Sequence, residues 1–307
     1  MSVAATAEDK AAAGAAVRAR AAPRARLGSV RTHTFLVVVA LVWLFPIVYA
    51  LYTSLRPYSD TAAHGYVSIA RHLSLVNFKN AWNQADLPHY YLNSLIITVP
   101  AIVITLLLAS FVAFGVSRFS WRFNLPLLML FTAGNLLPQQ VIITPLYRLY
   151  LEIPLPSFMS DSGTLYDSYY GIILIHVAFQ LGFCVFVLSN YMKTLPMELS
   201  EAAMVDGASV WLQFRRIILP LCRPPLAALA TLEFTWIYND FFWAQVLMQT
   251  GEKRPITSAL AGLQGQYFTN NNLIAAASLV AALPTLVVYF ALQRHFIGGL
   301  TLGATKG

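Results

Sequence analysis

The chain is poor in charge. Only 11% of its 307 residues are Asp, Glu, Lys or Arg, against roughly 25% in a soluble globular domain. With 58% hydrophobic residues and a mean hydropathy of +0.62, it cannot supply the polar coat of a water-soluble fold, and it is equally unlike a disordered chain. It has two cysteines, Cys184 and Cys222, too few for a secreted disulfide scaffold, and neither a disulfide nor a metal site is expected. His176 has no second ligand at metal spacing. A phosphate loop of the form G-x-x-x-x-G-K-[ST] is missing, and Gly251-Glu252-Lys253-Arg254 has the wrong spacing for one. The chain is therefore expected to be non-catalytic and to hydrolyse no ATP. A membrane enzyme or electron carrier would need paired histidines or a nucleophile constellation, and none stands out. Period-two alternation is also missing, which sets aside a transmembrane barrel. What remains is an all-α integral membrane protein.

Its six candidate spans are 34–55, 90–117, 123–147, 168–192, 224–251 and about 273–292, each near the roughly 20 residues that cross a bilayer as helix. The net charge of +7 does not indicate nucleic-acid binding, because the basic residues are distributed as membrane anchors. Arg18, Arg20, Arg24, Arg26 and Arg31 all precede the first span. With the N-terminus inside, fourteen of the 20 Lys and Arg fall on inner segments, which places both termini in the cytoplasm. Residues 1–32 read as a disordered basic cytoplasmic tail and 33–307 as the membrane domain; an organellar transit peptide is the alternative for the Ala- and Arg-rich start. A short interfacial helix is expected near 75–85. There is no convincing internal repeat.

Between the fourth and fifth spans lies a cytoplasmic loop, 194–220, unlike a plain connection. Pro196 can open a short helix whose Glu198 and Glu201 suit its positive end. Gly207 can take the left-handed conformation that ends a helix, and Ser209 can cap a second one. In that second helix Val210, Phe214, Ile217 and Ile218 recur at helical spacing. Pro220, Pro224 and Pro225 bend the chain into the next span.

Glu201-Ala202-Ala203, Gly207, Ile217 and Leu219-Pro220, in that spacing, resemble the EAA loop of permease subunits of ATP-binding-cassette importers. Asn93-Ser94-Leu95, Arg118, Pro145-Leu146-Tyr147, Asp206-Gly207-Ala208 and the ending Gly299 to Gly307 resemble the carbohydrate-uptake branch, most of all the smaller permease of maltose-type systems. One departure is Tyr238-Asn239-Asp240, where that branch usually has Trp-Asn followed by an acid. The resemblance implies one half of a translocation path in a bacterial inner membrane. It also implies a second permease, an extracytoplasmic sugar-binding protein and a homodimeric or heterodimeric ATPase carrying ATP and Mg. Glu201, Ala202, Ala203, Asp206, Gly207, Ile217, Leu219 and Pro220 would form the coupling element, its helix docked in a cleft of the ATPase. Small Ala202 and Ala203 would let the helix seat deeply, and Glu201 would pair with a basic residue.

Polar residues inside spans are costly and invite a cargo reading. Tyr169, His176, Gln180 and Asn190 fall within an arc of about 80° on the fourth span. Glu233, Trp236 and Asp240 share a face of the fifth, and Thr132, Asn135 and Gln139 one of the third, where Pro138 loosens the helix. Asn135, Gln139, His176, Gln180, Trp236, Tyr238, Asn239 and Asp240 are the candidate cargo path. Amides, an acid and aromatic rings suit hydroxyl-rich cargo; hydrogen bonds between helices would explain the same polar residues. The competing class is an ion-coupled secondary carrier using Glu233 and Asp240, which would leave the loop without a purpose.

Overall fold

A computed structural model describes residues 31–136, 138–263 and 269–301. Most of the basic tail, and the closing residues 302–307 of the terminal signature, lie outside them. The described elements are helical, and the single bridge between Pro154 and Thr164 is the one extended pairing among them.

In chain order they are α1 (Arg31–Leu55), α2 (Tyr58–His64), α3 (Val76–Gln84), α4 (Leu87–Arg118), α5 (Asn124–Leu136), α6 (Ile143–Glu152), α7 (Tyr169–Thr194), α8 (Glu198–Val205), α9 (Val210–Gln213), α10 (Leu219–Leu221), α11 (Arg223–Tyr238), α12 (Phe242–Leu247), α13 (Ile256–Gly262) and α14 (Asn271–Thr301). Four helices are long and apolar enough to cross a membrane alone: α1, α4, α7 and α14 up to Leu292. Two helix pairs pass the same test only together and are bent, Asn124–Asn135 with Gln139–Glu152 at 90° and Val210–Leu221 with Arg223–Tyr238 at 72°, so the count among the described residues is four, or up to six if each bent pair is one span.

The bends correct two expected spans. The third is not one helix over 123–147. Pro138 has no N–H to give and its ring clashes with the preceding turn, so the chain turns into a 3-10 segment at Gln139–Ile142 and then α6. The fifth does not run to residue 251. The Asn239 side chain donates to Thr235 O at 2.7 Å, competing with the helical ladder. After it Asp240 accepts from the N–H groups of Trp243 and Ala244 at 3.4 and 3.3 Å, capping α12 instead of continuing α11.

The bundle is built on α4 against α7, with α11 and α14 beside them. Small residues let these helices approach closely. Ala101, Ala109, Ala113 and Ala228 are buried. At Gly182 an added Cβ would meet Phe131 O of α5 at 2.4 Å, so only glycine fits there. On one side of the bundle the loops are stitched by polar contacts. Arg56 is 1% exposed and donates to Asp60 and to the carbonyls of Gly65 and Ser68, while Asn77 and Asn272 donate to its own carbonyl. Asp167 accepts from Gln249 and Thr250, and Asn93 donates to Glu252 O and Arg254 O. Helix α1 leaves the bundle, and its most apolar stretch buries nothing within the chain.

Candidate functional site

The bend after α5 and the break after α11 open a cavity of about 570 Å³ against α7. Six of the expected path residues line it: Asn135, Gln139, His176, Gln180, Trp236 and Asp240, together with Thr132. The other two do not. Tyr238 is 1% exposed, donates to Ala281 O and stacks on Phe234, which puts it in the seam with α14. Asn239 faces Thr235 and Thr285. Three more residues leave the faces drawn from the sequence. Glu233 is fully buried and accepts from the Cys184 thiol at 3.2 Å. Tyr169 donates to Asn93 at 2.7 Å, and Asn190 is exposed away from the cavity. Asp240 reaches the cavity because the helix ends before it, not because a continuous helix turns it there.

The cavity wall is half aromatic. Phe179, Phe183, Phe186 and Trp243 line it as well. Phe183 meets Trp236 edge-on at 5.2 Å, and Phe179 lies 5.3 Å from Trp243. A search for polar residues passes over these rings, yet Phe179, Phe183 and Phe186 follow helical spacing on the His176 side of α7, which was the available signal. Asn135 is fixed by α7: with its amide nitrogen towards Phe179 O it donates at 2.7 Å and its oxygen accepts from Phe183 N–H. His176 Nε2 lies 3.8 Å from Asp240 Oδ2, with His176 buried and the carboxylate partly open. The lining holds one carboxylate and neither Lys nor Arg. Such a wall can stack on the C–H face of a ring and exchange hydrogen bonds with hydroxyls.

At the other end of the bundle the loop forms two short helices. α8 closes in a complete left-handed C-cap: Gly207 has φ +77°, its N–H donates to Met204 O, and Ala208 N–H donates to Ala203 O at 2.8 Å. Ser209 accepts from Leu212 N–H and caps α9. A π-helical turn, Phe214–Ile218, follows, with Phe214 and Ile218 buried and Phe214 stacked 4.8 Å from Phe111 of α4. Ile217, Leu219 and Pro220 are half-buried in this inner seam. Ala203 is also buried against the chain itself, so of the two alanines expected to let the helix seat deeply only Ala202 lies on its exposed face. The free face of α8 carries Glu201, Ala202, Met204 and Val205, the last 87% exposed; Asp206 and Gly207 sit open beyond it. Arg118, at the end of α4, donates to Leu195 O, Pro196 O and Met197 Sδ, and so holds the start of the loop.

Comparison with known proteins adds a family. The model described as "Binding-protein-dependent transport system inner membrane component" matches residues 85–301, which include the cavity and the loop. A probable ABC transporter permease protein of Pyrococcus horikoshii is 33% identical over 264 residues, 85% of this chain and 92% of that one. The melibiose/raffinose/stachyose import permease protein MelC of Bacillus subtilis is 32% identical over 285 residues, 92% of this chain and 99% of its own. Among solved structures, a chain of a bacterial ABC transporter involved in import of the acidic polysaccharide alginate superposes with a TM-score of 0.74 at 20% identity, over 88% of this chain and 97% of that one. That likeness is one of fold.

Proposed function

Because the chain belongs to the family of binding-protein-dependent transport system inner membrane components, we propose that it is the permease subunit of an ATP-driven carbohydrate importer. It forms half of the translocation path in the bacterial inner membrane, with both termini in the cytoplasm. The observation that carries the reading is the cavity: Asp240, Asn135, Gln139, Gln180 and His176 opposite Trp236, Phe183 and Phe179. Hydroxyl-rich rings need that mixture, and the absence of Lys and Arg from its lining favours uncharged sugars over uronates. MelC, a sugar import permease by name, supports the class of cargo.

The chain does no chemistry of its own. Work reaches it from an ATPase holding ATP and Mg, through α8. Glu201, Ala202, Asp206 and the apolar pair Met204 and Val205 present the docking face. Ala203 and Gly207 fix its shape, and Ile217, Leu219 and Pro220 transmit movement through the 72° bend into α11. A second permease and an extracytoplasmic sugar-binding protein complete the assembly. Uptake of labelled neutral oligosaccharides and of uronate oligomers, in a strain lacking this chain and in the complemented strain, tests the reading. Restored uptake of a neutral sugar supports it. Uptake of none, or of the uronate alone, overturns it.

A further inference from the structure

The geometry points to a binding groove for an anionic phospholipid on the face of the bundle between α4 and α11, with the headgroup phosphate held by Arg215 and Arg223. The groove has a volume of about 620 Å³ and is almost wholly apolar along its length. Val103 and Leu107, one turn apart on α4, form one wall, and Leu226 and Ala230 on α11 form the other. Arg215 and Arg223 both belong to its lining, one on each side of the bend that leads into α11.

The shape fits one class of molecule. From Arg223 to Ala230 the wall runs about 10 Å along the helix, most of one leaflet's hydrocarbon depth of about 15 Å. An acyl chain lying there meets side chains already exposed, Val103 at 50% and Leu107 at 48%. Both arginines are exposed, and neither belongs to an ion pair among the described residues. An apolar trough with two unpaired guanidinium groups in its lining is complementary to a phosphodiester above a hydrocarbon tail, since guanidinium binds phosphate oxygens in a bidentate fork. Basic side chains at the ends of spans favour anionic lipid. The headgroup end of the groove also includes Leu219 and Pro220. A lipid seated there therefore packs against the hinge through which α11 is turned.

The test uses the full-length protein with the subunits that co-purify with it. The preparation is delipidated, mixed with equal amounts of phosphatidylglycerol and phosphatidylcholine of the same acyl chains, and examined by native mass spectrometry. Wild type should retain phosphatidylglycerol over phosphatidylcholine by about 30-fold, roughly fivefold for each arginine. Arg215→Ala with Arg223→Ala should bring the two lipids to parity, and the paired Arg→Lys variant should keep most of the preference. Leu107→Trp, which fills the groove and leaves both charges, should also release phosphatidylglycerol. Equal retention of both lipids by wild type overturns the inference without any variant. Retention unaffected by Leu107→Trp overturns the groove, leaving only surface charge. Crosslinking from Ala230→Cys to a second permease subunit, with no capture of a photoactivatable phosphatidylglycerol, shows that protein covers this face and overturns it as well.

Discussion

Asp240 serves two structural demands at once. Its carboxylate caps α12 through two backbone N–H groups, and it also faces the cavity beside His176. Asp240→Asn keeps an oxygen for the cap but removes the charge. It should leave insertion intact and lower the initial rate of sugar uptake by about tenfold, the scale of one charge-assisted hydrogen bond to cargo. Asp240→Ala should in addition lose about 1 kcal/mol from the cap, seen as a lower unfolding midpoint in detergent. Uptake and midpoint both unchanged would remove Asp240 from either role. Asp60 is a residue of another kind. The hydrogen bond from Arg56 at 2.6 Å holds its carboxyl below the usual carboxylate range. A carboxylate depressed on folding stabilises fully above its unfolded value, about 3.9, and that contribution fades as pH falls through the lower folded value. Wild type should therefore melt higher than Asp60→Asn at pH 7, and the gap should narrow as pH falls below the unfolded value of about 3.9. A constant gap across that range would show the pair to be electrostatically silent.

Among elements, α8 and its ending carry the proposed coupling to an ATPase. Gly207 sits at φ +77° with open space where a Cβ would go, so a substitution there acts through backbone strain and not through a clash. Gly207→Val should cost roughly 1 kcal/mol or more of local structure and turn the proposed docking face away. Gly207→Asn, which tolerates this conformation, should be nearly normal. Co-purification of the ATPase with each variant separates them, and equal retention in both would show that the cap does not orient the helix. Arg118→Ala removes the side chain that holds Leu195 and Pro196. It should raise hydrogen exchange at residues 195–205 and lower uptake, while the spans still insert. The loop was legible in sequence because its signals are local: a proline, a left-handed glycine and a capping serine, each dictating the backbone nearby. The bent spans were not. Hydropathy averages over a window and reads 123–147 or 224–251 as continuous, while the break at Pro138 and the back-bonding at Asn239 are single-residue events that tertiary packing then exploits. The cavity was half legible for the same reason. Its polar lining stands out against an apolar span, and its phenylalanines and Trp243 do not. Tyr238 belongs to the Tyr238-Asn239-Asp240 segment that resembles the family pattern, yet the helix turns it to the seam with α14.

For the whole molecule, the two ends of the bundle differ in kind. One end is sealed by buried polar stitching, with Arg56, Asp167, Asn93 and Asn272 binding loops distant in sequence. The other presents α8, with apolar Met204 and Val205 in the open. Neighbouring exposed apolar side chains at a helix tip suit a surface that another chain covers, in keeping with the proposed docking of an ATPase there. Helix α1, with Trp43 77% exposed, needs lipid or another subunit along its length. The distribution of Lys and Arg, with Lys193, Arg215, Arg216 and Arg223 all at the α8 end, is the basis for the proposed topology with that end in the cytoplasm. Phe158 is 84% exposed on the stitched side and Val205 87% exposed on the other. A cysteine placed at Phe158 should therefore react with a membrane-impermeant maleimide in intact spheroplasts, and one at Val205 only after permeabilisation. Cys184 and Cys222 are both buried, so the wild-type background should be silent in this assay. The reversed pattern would invert the topology, and α8 would then face away from any cytoplasmic ATPase.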